Sequence, residues 1–446
     1  MVAPPSRESP KAVDPQPRIL VVAPDDARAG PLCQGLDALG WRTVTARGAG
    51  GALSVIMDLP VEAVVLDARL DDPEGLAEAL RGTAQPRRLP ILAIAAPESL
   101  ARSTAFDLVM TVTPHPAQAA LRLEQLFRAA LAEEEIALRE ATFAARGVPL
   151  ARDVSEAPVR VLAAGPPDHR FLALSNALDQ EGAEVIAAPT AYTAFDYLHE
   201  RAFDAAVLWG GEDHTAAQSI AAGMKRNTRL YHIPVVLYLN GQAEMNLGEL
   251  FGRGFADVAA SDTPEEETAR RVMALARTHR RHQAVRRALE TVRGSALADA
   301  ATGLFTRELF ASHLARVAEA SRERRRPLSV CVLKVTETPE LSALRAGGWV
   351  DRALPQIGAM LSRLIRVEDT AARLSPEVFA LALPATRAAQ ARIAAERIAA
   401  VIGCTAFDAG SGRAPFVVGF DIGAAELQAG EGPAQLLERA SADLRR

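Results

Sequence analysis

The chain has 446 residues, of which 49% are hydrophobic and 24% charged, and its formal net charge is −5 at pH 7. This is the composition of a globular protein, with length enough for about three domains. The slightly negative charge argues against a nucleic-acid-binding protein, and no apolar run approaches the roughly 20 residues of a membrane span. The three widely spaced cysteines favour a reducing cytoplasm over a disulfide framework or a zinc site.

The chain opens with a segment, residues 1–16, that is rich in proline and charge and predicts a disordered tail. Apolar runs at 18–22, 61–66 and 90–94 follow, and they alternate with helical patterns. Alternation of short buried strands with helices predicts an α/β domain with a doubly wound parallel sheet. We place this first domain at 17–131.

The same pattern of strands returns later in the chain at a nearly constant spacing, which predicts a duplicated domain. The second copy covers 159–280, and a charged helical linker, 132–158, joins the two. The matching strands are 160–164 with 18–22, 203–208 with 62–66, and 233–237 with 89–92.

Both copies resemble the receiver domains of response regulators, which implies a flavodoxin-like fold. In that family an aspartate at the end of a strand accepts phosphate, and an acidic pair holds Mg²⁺. The first copy has Asp67 at the acceptor position but Ala23 and Pro24 at the acidic pair, and the second has Trp209 as its acceptor residue. Asp67 is therefore either a phosphate acceptor or a cap on a buried strand, and the missing partners favour the cap. The resemblance also implies a homodimer formed through the receiver domains.

A long helical pattern follows the second copy, from Glu265 to Arg293. It is acidic at its start and rich in arginine later, an arrangement that complements the helix dipole. No aromatic residues are interleaved with the arginines as a nucleic-acid-binding surface would require. We interpret it as a solvated helix, of which 281–298 forms the linker to the third domain.

The third domain, 299–446, contains two distinctive stretches. It opens with Asp299-Ala-Ala-Thr-Gly-Leu-Phe-Thr-Arg307, and Arg366-Val-Glu-Asp369 is followed six residues later by Ser375-Pro-Glu-Val-Phe379. These stretches resemble the opening motif, the Arg-x-x-Asp inhibitory site and the signature turn of a GGDEF (diguanylate cyclase) domain. The resemblance implies a nucleotidyl-cyclase-like α+β fold, and the whole plan resembles the receiver–receiver–GGDEF regulators of the PleD type.

The catalytic positions that the resemblance assigns are changed. A cyclase needs carboxylates that hold two metal ions, but Lys334 replaces the aspartate of the first strand. Ser375 and Pro376 replace the turn glycines, and proline fixes φ and removes an N–H donor. Glu377 and Asp351 are remnants of the metal site and the guanine-reading pair. We expect no cyclase activity and no bound metal, with residual activity as the alternative.

The inhibitory corner, by contrast, is intact. The resemblance implies that Arg366 and Asp369 hold cyclic di-GMP, with Arg397 on a later helix as a third contact. A guanidinium matches guanine O6 and N7 or a phosphate, and a carboxylate accepts hydrogen bonds from guanine N–H groups. Arg363 and Arg373 are close enough in sequence to assist.

These features predict a non-enzymatic cyclic di-GMP effector. The resemblance further implies a role in cell-cycle control: a cytoplasmic protein at a cell pole that helps adaptor proteins deliver a transcriptional regulator to the ClpXP protease. The main alternative is a phosphorylation-driven scaffold in which Asp67 receives the signal. We expect neither nucleic acid nor a membrane as a partner.

Overall fold

The computed structural model describes residues 17–96, 103, 105–111, 114–150, 156–210, 214–227, 229–239, 250, 253–259, 263–291, 297–410 and 414–444. The predicted tail, 1–16, lies outside the described residues. The chain divides into two compact units: one contains the residues up to Gln85 and Leu89–Phe127, the other Pro86–Arg88 and the residues from Arg128 onward. No helix of the described part is long and apolar enough to cross a membrane.

The first domain has a five-stranded parallel sheet of order β2-β1-β3-β4-β5. This is the doubly wound order of flavodoxin-like folds, and the predicted parallel sheet is confirmed. Every residue of β3 is buried, as expected for a strand covered on both faces. The elements are β1 Arg18–Val22, α1 Asp26–Ala38, β2 Arg42–Ala46, α2 Ala49–Asp58, β3 Ala63–Asp67, α3 Pro73–Ala84, β4 Ile91–Ala95, β5 Leu108–Thr111 and α4 Pro116–Ala144.

The second domain repeats the arrangement, with parallel strands in the order β7-β6-β8-β9-β10. Each strand holds the same place in this sheet as its counterpart in the first, which agrees with the predicted duplication. The elements are β6 Val159–Ala164, α5 His169–Gln180, β7 Ala183–Ala188, α6 Ala191–Glu200, β8 Ala205–Gly210, α7 Thr215–Arg226, β9 Val235–Leu239, β10 Asp257–Ala259 and α8 Glu265–Thr291.

Helices α4 and α8 are the last helices of the first and second domains, and each is longer than the other helices of its domain. Helix α4 continues through the first part of the predicted linker 132–158, and α8 runs past residue 280 without interruption. The charge of helix α8 led us to predict a solvated helix, and this prediction is wrong for the residues that the helix buries. Arg271 is 2% exposed and donates two hydrogen bonds to the fully buried Asp257. The arginine is buried because a carboxylate on β10 neutralises it.

The third domain is built on an antiparallel sheet of order β12-β13-β11-β14. Helices α11 and α12 cover one face, where Ile357, Leu361 and Ile398 pack on the strands. Helices α9 and α13 cover the other. The elements are α9 Arg307–Glu323, β11 Leu328–Val335, α10 Pro339–Ala346, α11 Trp349–Leu364, β12 Thr370–Ser375, β13 Val378–Pro384, α12 Ala388–Gly403, β14 Phe420–Glu426 and α13 Pro433–Asp443.

The last turns of α4 dock on this domain through a buried polar network. Glu135 Oε1 lies 2.6 Å from His313 Nε2 and accepts hydrogen bonds from Arg139 and Thr370. Thr142 Oγ1 lies 3.1 Å from His313 Nδ1. Burial by itself would raise the pKa of Glu135, but His313, Arg139 and Thr370 outweigh it and lower that pKa. The network therefore favours a charged carboxylate inside the protein.

Replacement of Glu135 by alanine removes the carboxylate of a buried, charged network, so Arg139 and His313 lose the negative charge that they share. We expect the free energy of unfolding of Glu135→Ala to fall by about 3 kcal/mol. Glu124→Ala is the matched control, because Glu124 lies on the same helix with an exposed side chain. Denaturant titration of both variants checks this, and equal, small changes would contradict the role given to Glu135.

Candidate functional site

The Arg366–Asp369 segment forms a tight turn between α11 and β12. The N–H of Arg366 donates to Asp369 Oδ2 at 3.0 Å, and the N–H of Asp369 donates to the Arg366 carbonyl at 3.2 Å. The spacing of this pair thus has a local structural cause: the carboxylate closes its own turn. One oxygen of Asp369 is committed to the backbone, and the other remains for a different partner.

That second oxygen is the unusual feature of the site. Asp369 is 4% exposed, and its Oδ1 atom is buried without a hydrogen-bond partner among the residues that the structure describes. Burial, with the nearby charge of Glu368, raises the pKa of Asp369 to about 7, although the Arg366 N–H and guanidinium oppose the rise. A buried acceptor with no donor is costly, so this position favours a ligand that supplies N–H groups.

Asp369 lines a cavity of about 170 Å³. This volume is below the roughly 300–1,000 Å³ of pockets that enclose a whole drug-sized ligand, so the cavity suits one part of a larger molecule. Its apolar lining includes Phe143, Leu289, Leu304 and Ile365. The charged side chains in its lining are Arg139, Arg286, Glu290, Arg363, Arg366 and Asp369.

The opening motif of the third domain builds one wall of this cavity. Asp299 Oδ1 accepts hydrogen bonds from the N–H and the hydroxyl of Thr302, and the resulting turn brings Gly303 and Leu304 to the cavity. Helix α11 approaches this turn closely at Gly358, where a Cβ atom would lie 2.3 Å from the Thr302 carbonyl oxygen. A glycine is therefore needed at position 358.

The other arginines that the sequence suggested are placed differently. Arg397 lies on α12 with an exposed side chain, and it is outside the lining of the cavity that Arg366 and Asp369 share. Its role as a ligand contact stays a prediction. Arg373 forms an ion pair with Asp299, so it supports the wall, whereas Arg363 lines the cavity directly.

Several residues that line the cavity lie outside the third domain, and two of them are arginines that the sequence did not mark as site residues. Arg139 comes from α4, where its guanidinium donates to the carbonyl of Asp369 at 2.6 Å, and Arg286 comes from α8. Both belong to charged helices that a linear pattern assigns to solvent. No local signal marks them, because their partners are far away in the chain.

The edge of the sheet that carries the predicted catalytic positions has different chemistry. Lys334 is exposed on β11 between Val378 and Asp421 of the neighbouring strands. The carboxylate of Glu377 lies 2.5 Å from Arg345 Nε. A lysine and a glutamate paired with arginine do not fit a site for two Mg²⁺ ions, which need clustered carboxylates.

The second remnant, Asp351, is exposed on α11. Within the described ranges no group of three or more His, Cys, Asp or Glu residues is placed to hold a metal ion.

Asp67 ends β3 at the carboxyl edge of the first sheet, as predicted. Both of its oxygens bind Arg69: Oδ1 accepts from Nε at 2.9 Å, and Oδ2 lies 2.5 Å from a terminal guanidinium nitrogen. Burial by itself would raise the pKa of Asp67, but the hydrogen bonds from Arg69 outweigh it and lower that pKa. The nearby Asp25 caps α1. Asp67 is thus ionised, and the Arg69 side chain that binds it is 41% exposed.

The equivalent place in the second domain is filled by aromatic rings. Trp209 is 3% exposed, stacks on Tyr238 with 4.3 Å between ring centroids, and donates from Nε1 to Asp168. Gly165 has a φ of +143°, and a Cβ atom there would lie 2.4 Å from Trp209 Cβ. The indole ring of Trp209 therefore stands where the first domain has the Asp67 carboxylate, and it fills the volume beside that position.

The family model described as "Diguanylate cyclase, GGDEF domain" matches residues 296–446. A GGDEF domain occupies this part of the chain. The turn at Asp299 and the Arg366–Asp369 pair both lie within the matched residues. The comparison with curated proteins gives no match.

Similar solved structures are also GGDEF domains. The FimX GGDEF domain of Pseudomonas aeruginosa is 21% identical, with 34% of this chain and 92% of that chain covered and a TM-score of 0.31. The GGDEF domain of DgcB from Caulobacter crescentus, in complex with c-di-GMP, is 22% identical, with 34% and 86% covered and a TM-score of 0.31. SiaD of P. aeruginosa, in complex with its activator SiaC, is 26% identical, with 40% and 68% covered and a TM-score of 0.33.

The raised pKa of Asp369 predicts a pH-dependent stability. In the unfolded chain this carboxyl ionises near pH 4, and in the folded protein near pH 7. Below about pH 4 the carboxyl is neutral in both states, and its ionisation does not change the free energy of unfolding. Between about pH 4 and pH 7 its raised pKa lowers the free energy of unfolding increasingly, and above about pH 7 the loss is constant. Asp369→Asn keeps an oxygen that accepts from the Arg366 N–H but cannot ionise.

We expect Asp369→Asn to raise the free energy of unfolding by about 1 kcal/mol or more at pH 8, and to change it little at pH 4.5. Denaturant titration at the two pH values measures this, with the exposed Asp351→Asn as control. A difference from wild type that is the same at both pH values would contradict an elevated pKa.

Proposed function

We propose that this protein is a non-enzymatic effector that binds cyclic di-GMP at the Arg-x-x-Asp corner of its GGDEF domain. The observation that carries the proposal is the buried Asp369 carboxylate, which lines a cavity shared with Arg366 and whose Oδ1 accepts no hydrogen bond from the described part of the chain. The GGDEF domain of DgcB has been solved with c-di-GMP, both alone and together with its coiled coil. Those complexes concern DgcB, and they make the same dinucleotide the first ligand to test here.

The chemistry of the corner suits a guanine. The ring N–H and exocyclic amine of guanine donate to a carboxylate, which supplies the donors that Asp369 Oδ1 lacks. A guanidinium such as that of Arg366 matches guanine O6 and N7 or a phosphate oxygen. Apolar side chains such as Phe143 and Leu304 cover the faces of a bound ring. The cavity volume of about 170 Å³ leaves the rest of the dinucleotide outside.

The cyclic di-GMP proposal predicts that the corner controls affinity. In calorimetric titration of cyclic di-GMP we expect Arg366→Ala to weaken binding at least about 10-fold, because a charge-assisted hydrogen bond contributes roughly 1.5–3 kcal/mol. Arg316→Ala is the control, since Arg316 is exposed on α9 of the same domain. Arg397→Ala in the same series tests the third predicted contact. Wild-type protein that does not bind would refute the proposal.

The absence of cyclase activity is the second part of the proposal. Lys334 places a positive charge at the position where a cyclase binds two Mg²⁺ ions. The carboxylate of Glu377 forms an ion pair with Arg345. Ser375 and Pro376 place side chains, and a residue without an N–H group, where a nucleotide has to approach the backbone. The surviving acids, Glu377 and Asp351, cannot make up for these changes.

We therefore expect no cyclic di-GMP when the purified protein is incubated with GTP and Mg²⁺ and the products are separated by chromatography. A catalytically active diguanylate cyclase run in parallel is the positive control. Dinucleotide formation above the level without protein would show residual activity and overturn this part of the proposal.

The effector role rests on resemblance. The plan of two receiver-like domains and a degenerate GGDEF domain is similar to that of PopA, a catalytically inactive relative of PleD. This similarity implies a homodimer, a position at a cell pole, and partners that are adaptors and substrates of a ClpXP-type protease. We propose that bound cyclic di-GMP selects one arrangement of the protein, and that this arrangement presents the partner-binding surface. Ligand-dependent co-purification of partners tests it, with the Arg366→Ala protein as the comparison.

A phosphorylation-driven scaffold is the alternative function. Asp67 lies at the strand end that a phosphate acceptor would occupy. However, both of its oxygens bind Arg69, and Asp25 serves as a helix cap. These contacts support a structural role for Asp67, so we favour the nucleotide-binding function.

A further inference from the structure

Helix α12 of the third domain is apolar on its outer face as well as on its inner one. The inner face is buried in the core of the domain. A helix that covers a sheet normally turns polar residues to water, and a helix that is apolar all round is normally covered all round. The exposed apolar residues of α12 and its C-cap are Ala389, Ile393, Ala400, Val401 and Cys404. This outer stripe therefore indicates an interaction surface.

The larger side chains of the stripe form one patch. Ile393 is 65% exposed and Val401 is 42% exposed, and the two lie two turns apart on the same side of the helix. Val417, which is 59% exposed, adjoins the last turn, because a Cβ atom at Gly403 would lie 3.6 Å from the Val418 carbonyl oxygen. Exposed apolar side chains that cluster in this way mark contact surfaces, whereas scattered ones do not.

The charged residues of the stripe are Glu396 and Arg397, which are both exposed. Adjacent helical residues do not face each other, so the two cannot pair within the helix. Within the described ranges neither forms an ion pair, whereas Arg392, at the edge of the stripe, pairs with Asp443. An acid beside a base matches an identical surface that approaches in the opposite direction, since each charge then meets its opposite.

We propose that α12 packs against α12 of a second copy of this chain. The two helices are antiparallel, and a two-fold axis passes between positions 396 and 397. Glu396 of each copy then faces Arg397 of the other, and Ile393 faces Ala400. The axis lies near the middle of the helix, Ala388–Gly403, so the two helices overlap over almost their whole length.

A second copy fits this surface better than an unrelated protein. The two-fold axis brings the same patch to both sides, so the required acid and base are present at the required spacing without any further feature. Ala400 opposite Ile393 places a small side chain against a large one. This lets the helix axes approach to the roughly 8–10 Å of packed helices. The ion pairs leave no uncompensated charge at the centre of the contact.

The contact is small. The helix has 16 residues and is about 24 Å long. One face of such a helix is smaller than the roughly 800 Å² per partner that a standard interface buries. We therefore expect weak pairing by α12 alone and stronger pairing when another contact holds two chains together. The homodimer that the resemblance to receiver domains implies would supply that contact.

The pairing is separate from the cyclic di-GMP site. Among the described residues that line the cavity beside Asp369, none belongs to α12. The inference thus goes beyond the proposed function and does not depend on it. It also gives Arg397, which lies outside that cavity, a partner in the second copy.

Thiol cross-linking tests the direction and the register of the pairing. Cys404 is exposed, whereas Cys33 and Cys331 are buried. In the proposed register position 389 lies opposite Cys404 of the second copy. With a short bismaleimide we expect Ala389→Cys to form a covalent dimer at least about 10-fold faster than wild type, whose two Cys404 thiols would be about 22 Å apart. Ala434→Cys, at an exposed position of α13, is the matched control, and we expect it to react like wild type.

Charge reversal tests the ion pairs. In the Ala389→Cys protein we expect Arg397→Glu to slow cross-linking, because two acids then face each other, and Glu396→Arg to slow it in the same way. We expect the protein with both reversals to cross-link as fast as the Ala389→Cys protein, since each acid again faces a base. Ile393→Glu, which puts an unpaired charge against Ala400, is expected to slow it as well. Thermal melts check that these surface variants are folded.

Three results would overturn the pairing of α12. If Ala389→Cys cross-links no faster than Ala434→Cys, the stripe does not meet a second copy, and a different protein covers it. If wild type cross-links as fast as Ala389→Cys, the helices are not antiparallel in this register. If the two charge reversals together do not restore the rate that each one lowers, Glu396 does not face Arg397. None of these results bears on the binding of cyclic di-GMP.

Discussion

The hydrogen bonds between α4 and the start of β12 are the constraint on which the candidate site depends. Arg139 donates to the Asp369 carbonyl and to the Thr370 hydroxyl, and Glu135 accepts from both Arg139 and Thr370. These contacts fix the backbone that follows the Arg366–Asp369 turn. They also put α4 against one side of the cavity. With the turn fixed, the Asp369 carboxylate stays buried, and its Oδ1 atom, which has no partner within the described ranges, keeps its position in the cavity wall.

The GGDEF domain has different charges at the sheet edge that carries Lys334 and at the cavity beside Asp369. At the edge of β11, Lys334 puts a positive charge where metal ions would have to bind, and Arg345 neutralises the carboxylate of Glu377. At the cavity, positive charge surrounds a buried carboxylate, an arrangement suited to a ligand that has both N–H donors and phosphates. We propose that a domain with these two properties binds a nucleotide without converting it. This fits a role in which ligand occupancy, and not product formation, is the signal.

The two α/β domains show how one sheet order supports different sites. Strands β3 and β8 hold the same place in their sheets, but one ends in an ion-paired aspartate and the other in a stacked tryptophan. Gly165 has no Cβ, and this leaves room for the tryptophan. The first domain thus keeps a titratable group at its sheet edge, while the second keeps only a packed aromatic cluster. The second domain contributes to the proposed site through its long last helix.

The sequence by itself determined the elements and their repetition, because short apolar runs and helical periods are local properties. It also determined the presence of the Arg366/Asp369 pair and the lack of a carboxylate at Lys334, since those depend on residue type alone. The tertiary structure decided which charges are buried. The linear pattern of charges predicts solvated helices for Arg139, Arg271 and Arg286. Each of the three contacts protein instead, because a partner from another segment lies beside it. The energy that keeps a charge inside the protein comes from long-range neighbours, which only the folded chain brings together.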